Sequence, residues 1–462
     1  MKKYSKWIGD RAFYRHVLAV ALPIMLQTGI TNFVNMLDNI MVGRVGTVQM
    51  TGVAVANQLI FVYQLCLFGA VSGAGIFGVQ FFGKNDHEGL RHTFRFKVLL
   101  CSVLTIAAAG IFWFFGEGLA SLFLQGEGSA ADAAASLMYA RDYLRIMLIG
   151  FVPTAIVQLY ASTLRETGER VVPMSAGLAA VLVNLALNAL LIFGYLGFPK
   201  LGVYGAAIAT VVARFVEMTV VMIWTHRHKQ KNAFIVGVYR SMYIPRRLIG
   251  QMMIKGTPLL INEALWSLGM TMLNRCYSIR GLDVVAAINI SQTFWNVFSV
   301  TFMAIGTAIG IIVGQLLGAE RFEEAKDTDR KLIAFSLMVS VAVALIYGIC
   351  SRFIPLFYNT TDSVRQLATG IMTIGACMMP LNALTHASYF TLRSGGKTGI
   401  TFVFDSGFVW AISVPVALAL TTFTTLPIFP LYLCCQSLEI IKCVIGGVMI
   451  KKGAWLHSVV KA

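Results

Sequence analysis

The sequence predicts an all-α integral membrane protein of about twelve transmembrane helices, in two six-helix lobes related by a pseudo-two-fold axis along the membrane normal. Three observations predict this class. Hydrophobic residues make up 57% of the 462 residues and charged residues 13%, whereas a soluble domain carries roughly 25% charged residues. Apolar segments of ~20 residues, enough to cross the hydrocarbon core, recur along the chain. The two halves of the chain also match each other.

The apolar segments define the predicted spans, which alternate with polar connections. Some of them exceed the length that one bilayer crossing needs, so we expect tilted or extended helices. The lobes are predicted at 1–225 and 250–462, joined by a cytoplasmic linker at 226–249. The predicted spans are 17–41, 51–82, 96–116, 137–160, 171–194, 203–225, 250–276, 284–318, 332–350, 366–391, 399–421 and 427–450.

Lysine and arginine are distributed unevenly between the two sets of connections. The side that carries both termini holds 27 of these residues, against 5 on the opposite side. Cytoplasmic loops carry the excess of positive charge, so we expect both termini in the cytoplasm and the protein in the cell membrane. The net charge of +16 fits loops that face anionic lipid, and we expect no nucleic-acid partner.

The second half of the chain repeats the first at a nearly constant offset. Pro23 aligns with Pro258, and the same offset of 235 aligns several glycines and polar residues with identical residues. Six spans in each unit place both units in the same orientation, which makes the repeats parallel. Parallel repeats of this kind are typical of transporters that move substrate by alternating access. The other pairs at this offset are Asn39 and Asn274, Gly46 and Gly281, Gly75 and Gly310, Gln80 and Gln315, and Gly83 and Gly318. An offset of 228 relates Thr163 and Thr391, Arg165 and Arg393, and Gly168 and Gly396.

The first span carries a polar face with one carboxylate. At 100° per residue, Asn35 and Asp38 share an arc of about 120° with the other polar residues of this span. An ionised carboxylate inside a membrane is costly and is usually paired, protonated or bound to a cation. We therefore predict that Asp38 binds a proton or sodium ion; the alternative is a helix-end residue at the outer interface. Asn184 and Asn188 share a face of the fifth span.

The second lobe offers a different set of candidates. Glu263, Trp266 and Met270 lie on one stripe of the seventh span, and a carboxylate beside an aromatic ring and a methionine suits an organic cation. The alternative for Glu263 is a structural contact with a neighbouring helix. Polar residues of the eighth span and a third acid in the eleventh span complete the predicted substrate site: Asn289, Gln292, Asn296 and Asp405.

Two intramembrane acids have a basic residue one helical turn away. Glu217 follows Arg214 at i, i+3, and Lys442 follows Glu439 at the same spacing. Side chains at this spacing meet on one helix face. We therefore predict two structural ion pairs. Asp405 also has a structural alternative, because it lies near the predicted cytoplasmic end of its span.

The stretch from Asn35 to Gly46, Asn-Met-Leu-Asp-Asn-Ile-Met-Val-Gly-Arg-Val-Gly, resembles the first-helix signature of the MATE family, the multidrug and toxic compound extrusion transporters. The Gly-rich end of the second span and the stretch 202–210 are similar to the family as well. The resemblance implies antiport of proton or sodium against organic cations. It also implies a cation-coupling role for Asp38, next to Asn184 and Asn188, where many members place an Asn and an Asp. An acid on the seventh helix of some members is similar in placement to Glu263.

We therefore expect a cation-coupled antiporter that exports amphiphilic, often cationic organic compounds. The coupling proton or sodium ion is the expected bound ion, with no other cofactor or metal. The expected partners are small organic molecules and membrane lipid, and the expected state is a monomer. A flippase for a lipid-linked precursor is the alternative, but it needs several unpaired cations in its cavity. An enzyme needs a clustered nucleophile and base, and only His386 among the histidines lies within a span.

Overall fold

The computed structural model describes residues 6–123, 130–358 and 360–460, except for the side chains of residues 34–37, 39, 40, 43, 47, 123, 130 and 282. The first half of the described chain holds six α-helices. They are α1 Arg11–Gly43, α2 Thr47–Gly83, α3 His87–Phe123, α4 Ala130–Glu166, α5 Val171–Phe193 and α6 Val203–Arg227. The second half holds α7 Arg246–Ser278, α8 Leu282–Phe298, α9 Val300–Gly318, α10 Phe322–Cys350, α11 Asp362–Ser394, α12 Thr398–Phe402, α13 Val414–Phe423, α14 Ile428–Ser437 and α15 Glu439–Lys451.

The all-α membrane class is confirmed. Within the described ranges there is no strand, and 11 helices are long and apolar enough to cross a membrane. The predicted span at 250–276 corresponds to α7, which has 33 residues and is too polar to count among those 11. Three predicted spans contain several helical pieces. The span at 284–318 breaks at Ser299 between α8 and α9, and the span at 399–421 runs from α12 through two π-helical stretches into α13. The span at 427–450 breaks at Leu438 between α14 and α15.

The sequence repeat reappears in the backbone. Helices α1 and α7 each have 33 residues and an internal proline, Pro23 in α1 and Pro258 in α7. Asn85 and Glu320 are related by the offset of 235. Both adopt the left-handed backbone conformation, with φ of 60° and 58° respectively. Non-glycine residues rarely adopt this conformation, so its occurrence at the same place after α2 and after α9 supports duplication of one unit.

The described chain forms two compact units. The N-terminal unit comprises Leu26–Gly78 and His87–Met253. The C-terminal unit comprises Met1–Met25, Val79–Asp86 and Ile254–Ala462. The first part of α1 and the last residues of α2 therefore cluster with the C-terminal residues. The division into lobes at 225 and 250 remains a prediction from the sequence.

The connection after α6 packs against the N-terminal unit. Phe234 and Val238 are buried, and the ring of Phe234 lies 5.2 Å from that of Phe94 in α3. The Arg95 guanidinium donates to the carbonyls of Val238 at 2.9 Å, Tyr243 at 3.0 Å and Gly237 at 3.3 Å. Much of the predicted linker is thus an ordered part of this unit.

Two repeat-related glycines permit a close helix crossing in the C-terminal unit. A Cβ atom at Gly83 would overlap the carbonyl oxygen of Gln315, and one at Gly318 would overlap the carbonyl oxygen of Gln80. The Gln80 amide also donates to the Ser394 carbonyl at 2.9 Å and accepts from the Val459 backbone nitrogen at 2.7 Å. The end of α2 is therefore fixed to α9, α11 and the C-terminal segment by groups that the repeat brings together.

Candidate functional site

The predicted site residues divide between the two units. Asp38, Asn184 and Asn188 lie in the N-terminal unit, on α1 and α5. The predicted substrate residues all lie in the C-terminal unit: Glu263, Trp266, Met270, Asn289, Gln292, Asn296 and Asp405. The side chain of Asn35, also predicted for cation coupling, lies outside the described residues. Each unit therefore has its own acidic centre.

The Asp38 carboxylate contacts α5 directly. The amide nitrogen Nδ2 of Asn188 donates to Asp38 Oδ1 at 2.6 Å and lies 3.1 Å from Asn184 Oδ1. Asn184 and Asn188 are spaced i, i+4, so they share one helix face, and both are buried. Asn184 Nδ2 lies 3.2 Å from the hydroxyl of Thr210 on α6. Helices α1, α5 and α6 thus meet at one carboxylate.

The Asn184 amide has two chemically distinct orientations at this site, and the choice between its O and N atoms is an assignment from neighbours. Turned one way, its nitrogen donates to Asp38 Oδ1 at 3.0 Å while its oxygen accepts from Thr210 Oγ1 at 3.2 Å. In this orientation the amide satisfies both the Asp38 carboxylate and the Thr210 hydroxyl.

The Asn188 amide oxygen adds a further acceptor. It is buried and has no hydrogen-bond partner in the described part of the chain. Carboxylate and amide oxygens suit a hard cation. The described residues contain no group of three or more His, Cys, Asp or Glu side chains that could hold a metal ion. The donor set around Asp38 thus fits a proton or an alkali cation.

A cavity of about 390 Å³ lies inside the N-terminal unit, with Asp38 in its wall. Ligand sites are typically about 300–1,000 Å³, so this volume suits a small organic molecule. One wall is aromatic: the Tyr63 and Phe151 rings stack 4.1 Å apart, and the Tyr63 hydroxyl donates to the Phe151 carbonyl at 3.0 Å. Other lining residues are Val42, Val53, Ala54, Asn57, Gln58, Ile60, Phe61, Gln64, Tyr143, Met147, Thr154, Asn188, Ala206, Thr210 and Arg214.

The cationic residue in that lining has a partner. Arg214 donates to Glu217 Oε2 at 2.7 Å, and the Glu217 side chain is buried. The predicted ion pair on α6 is confirmed. Because Glu217 neutralises Arg214, the cavity wall keeps the negative charge of Asp38 when that carboxylate is ionised.

Asp405 is the centre of a polar cluster in the C-terminal unit. It lies in the π-helical stretch Val403–Gly407. Asn262 of α7 donates to its Oδ2 at 3.0 Å, and Lys442 of α15 donates to its Oδ1 at 3.3 Å. Lys442 also lies 3.6 Å from Glu439 Oε1, so the second predicted ion pair is confirmed. The sequence did not indicate that Asp405 shares this lysine.

Helix α7 carries Glu263, Trp266 and Met270, as the sequence predicts. Glu263 is half-buried and lies within electrostatic range of Arg393 and Asp405. Trp266 and Met270 pack against the apolar core of the C-terminal unit. The structure therefore brings Glu263 near Asp405, while the two apolar candidates contribute to core packing.

Asn289, Gln292 and Asn296 form an exposed polar face on α8. The hydrogen bonds described around Asp405 and Lys442 involve Asn262 and Glu439, not these three side chains. They remain predicted substrate contacts.

Sequence reasoning missed several residues of both centres. Asn262 was adjacent to Glu263, and a polar pair inside a span was an available signal. Thr210 and Tyr143 had no such signal, because neither a hydroxyl nor a tyrosine is unusual in a membrane helix. Their place beside Asp38 depends on how α4 and α6 pack.

A repeated set of membrane-spanning helices, with an acid-lined cavity inside one unit, defines a polytopic membrane transporter. The MatE family model matches the chain twice, at residues 23–190 and 258–426. The chain belongs to the MatE family, the family that its first-helix motif resembles. The double match also confirms the duplication.

Related proteins match this chain over nearly its full length. The Bacillus subtilis protein named "Probable multidrug resistance protein YoeA" is 24% identical over 417 residues, 90% of this chain and 88% of the relative. A Thermotoga maritima protein named "Probable multidrug resistance protein NorM" is 23% identical over 415 residues, 88% of this chain and 86% of the relative.

Solved structures share the fold. A crystal structure of MATE in complex with MaL6 superposes with a TM-score of 0.84 at 17% identity, covering 98% of this chain and 99% of the other. An outward-facing MATE family transporter of the MOP superfamily gives a TM-score of 0.85 at 16% identity, covering 98% of each chain. These likenesses support the twelve-helix duplicated architecture.

Proposed function

We propose that this chain is a cation-coupled antiporter that exports amphiphilic, often cationic organic compounds by alternating access. The observation that carries the proposal is the position of Asp38. Its carboxylate accepts from Asn188 at 2.6 Å and lines a cavity of about 390 Å³. One group can thus respond to a coupling ion and to the charge of a molecule in the cavity.

The coupling ion is a proton or sodium, bound at Asp38 with Asn184 and Asn188 beside it. An uncompensated carboxylate inside a membrane is costly. Donation from Asn188 stabilises it after the ion leaves, and rotation of the Asn184 amide presents oxygen when the ion is present. The same two amides therefore lower the cost of both states, which a site that loads and unloads in each cycle needs. Asn35 belongs to the same proposed coupling group.

The substrate is an organic molecule with a large apolar surface. Phe61, Met147 and Phe151 give the cavity apolar walls, and Asn57 and Gln64 give it adaptable hydrogen-bonding groups. Methionine and aromatic side chains accommodate varied ligands. The relatives named multidrug resistance proteins support this class of substrate. The C-terminal residues Glu263, Trp266, Met270, Asn289, Gln292, Asn296 and Asp405 are proposed as further substrate contacts.

The protein is proposed to reside in the cell membrane as a monomer, with both termini cytoplasmic. The ratio of 27 to 5 basic residues between the two faces supports this orientation. This orientation is tested by fusing to each terminus a reporter that is active only on one side of the membrane. Activity of either fusion on the outer side would contradict the assignment.

Transport is tested with purified protein in vesicles that contain a fluorescent cationic dye. Proton and sodium gradients are imposed separately. We expect one of them to drive dye movement by the wild type, and Asp38→Asn to abolish that movement without loss of protein. Asp362→Asn is the matched control, because the Asp362 side chain is 87% exposed and pairs with Arg365 at the surface. Equal gradient-driven transport by Asp38→Asn would overturn the proposal.

A flippase for a lipid-linked precursor is the alternative. A phosphate-bearing substrate needs unpaired cations, whereas Arg214 in the cavity wall is paired with Glu217 at 2.7 Å. Movement of a fluorescent lipid-linked phosphate by the same vesicles, without dye transport, would favour the alternative. The charge of the cavity wall therefore discriminates between the two functions.

A further inference from the structure

The C-terminal unit holds an ammonium group deep inside its helices. The Lys442 side chain is only 7% exposed. Its Nζ lies 3.3 Å from Asp405 Oδ1 and 3.6 Å from Glu439 Oε1. It also lies 5.6 Å from the centroid of the Phe404 ring and 5.7 Å from that of Phe408. Two carboxylates and two aromatic rings thus surround one ammonium ion.

This combination is the chemistry by which proteins recognise organic ammonium ligands. The face of an aromatic ring attracts a cation within about 6 Å, and carboxylates supply the opposite charge and accept hydrogen bonds. Here the ligand is part of the chain. A simple structural ion pair of the i, i+3 type needs neither the second carboxylate from another helix nor the two rings.

The cluster has more acceptor capacity than Lys442 uses. Glu439 Oε2 is buried and has no hydrogen-bond partner within the described residues. Two carboxylates share one ammonium, so the three groups carry one excess negative charge when all are ionised. Glu263 of α7 lies within electrostatic range of Asp405, and Arg393 of α11 lies within electrostatic range of Glu263 with the opposite charge. The excess negative charge therefore remains.

Asp405 is held independently of the lysine. Asn262 donates to Asp405 Oδ2 at 3.0 Å, and its own oxygen accepts from the Ser406 backbone nitrogen at 3.2 Å and the Ser406 hydroxyl at 2.7 Å. The π-helical stretch that carries Asp405 is itself a rare backbone form, frequent at functional sites. The carboxylate should therefore keep its place when Lys442 is shortened.

We propose that Asp405, Glu439, Phe404 and Phe408 form a binding site for a primary alkylammonium ion, which Lys442 fills as a tethered ligand. Lys442 thereby sets the cation preference of the C-terminal unit: a free ammonium compound binds there only by displacing it. The proposal shares Asp405 with the proposed substrate contacts, but it is tested by binding alone. A failure of transport and a failure of this site are therefore distinguishable.

The test replaces the lysine side chain with a free ligand. Lys442→Ala keeps Cβ and removes the propylammonium portion of the residue, from Cγ to Nζ, and n-propylammonium is the probe. We expect saturable thermal stabilisation of purified Lys442→Ala, with an apparent affinity at least about tenfold tighter than for the wild type, where 1.4 kcal/mol corresponds to that factor. Neutral n-propanol should give no saturable effect. Adding Asp405→Asn to Lys442→Ala should remove the response.

Lys331→Ala is the matched control variant. Lys331 also pairs with one carboxylate, Asp327 at 2.5 Å, and lies 6.0 Å from the Phe13 ring centroid. Within the described residues it has no second carboxylate and no second ring beside it, so its variant should not bind n-propylammonium saturably. An equal response from both variants would overturn the proposal.

Instability of Lys442→Ala also gives a decisive result. If the variant is recovered only when n-propylammonium is present during solubilisation, the ligand has replaced the side chain and the proposal is supported. A variant that is lost equally with and without the amine would overturn it. So would a folded variant whose melting temperature does not respond to the amine.

Discussion

The amide nitrogen of Asn188 lies 2.6 Å from Oδ1 of Asp38, which places a neutral hydrogen-bond donor, and not a second acid, at this position of α5. A donor and an acid act on Asp38 in opposite ways. The donor stabilises the ionised carboxylate after its cation leaves, whereas a second carboxylate would oppose ionisation. The N-terminal centre is therefore a one-carboxylate site in the described part of the chain.

Removal of this donor should tighten cation binding. In Asn188→Ala the carboxylate loses a hydrogen bond to a charged group, a contact worth about 1.5–3 kcal/mol. The empty state is then less stable, so we expect the affinity for the coupling ion to rise by about tenfold or more and turnover to fall. Measuring ion dependence and maximal rate of dye transport in vesicles checks both effects.

Asn382→Ala serves as the control for that variant, because the Asn382 amide donates at 3.1 Å to the Met378 carbonyl of its own helix. Its ion dependence should match the wild type. A weaker ion affinity in Asn188→Ala would contradict this prediction and would mean that coordination of the ion by the Asn188 oxygen outweighs donation by its nitrogen.

Gly78→Ala should destabilise the N-terminal unit. A Cβ atom at Gly78 would overlap Glu166 Oε2, and one at Gly75 would lie 2.7 Å from Glu166 Oε1. That carboxylate lies 2.7 Å from the buried Lys97 ammonium. Overpacking typically costs about 1–3 kcal/mol, so the melting temperature in detergent should fall. Gly118→Ala, with no atom within 4 Å of the added carbon, should show no fall; equal melting of the two variants would refute the packing argument.

Arg95→Ala should expose the connection after α6 to protease. Arg95 donates to three backbone carbonyls of that connection, the shortest bond being 2.9 Å to Val238. Without these bonds the segment opens more often, and cleavage tracks the open population. We expect trypsin to cut after the exposed Arg240 about tenfold faster or more, since 1.4 kcal/mol gives that factor.

The comparison variant for this measurement is Arg321→Ala, which removes an exposed pair with Glu324 on the C-terminal unit. Its cleavage rate after Arg240 should equal that of the wild type. If Arg95→Ala is cut no faster than Arg321→Ala, the packed connection does not depend on Arg95.

Much of the architecture followed from the sequence because membrane helices obey strong local rules. An apolar run of ~20 residues must satisfy its backbone internally, so it forms a helix whatever surrounds it. The duplication was visible because Pro23 and Pro258, and the paired glycines, keep their spacing. The same periodicity placed Asn184, Asn188 and the face of Asp38 correctly on their helices.

Contacts between distant segments could not be predicted in this way. Lys442 was paired with Glu439 by spacing, but Asp405 lies 37 residues before the lysine, and no local rule relates them. The π-helical backbone around Asp405 likewise follows from packing rather than from propensity. Helical periodicity gives the face of a side chain; it does not give the helix that this face meets.

The central claim is that a cation exchanges at Asp38 in step with the organic substrate. The most direct measurement reverses the usual experiment: vesicles with no ion gradient receive a gradient of substrate, and dyes for proton and sodium report the counterflow. The account predicts flux of one of these ions opposite to the substrate in the wild type and none in Asp38→Asn. Substrate movement by the wild type without either ion flux, or undiminished ion flux in Asp38→Asn, would contradict it.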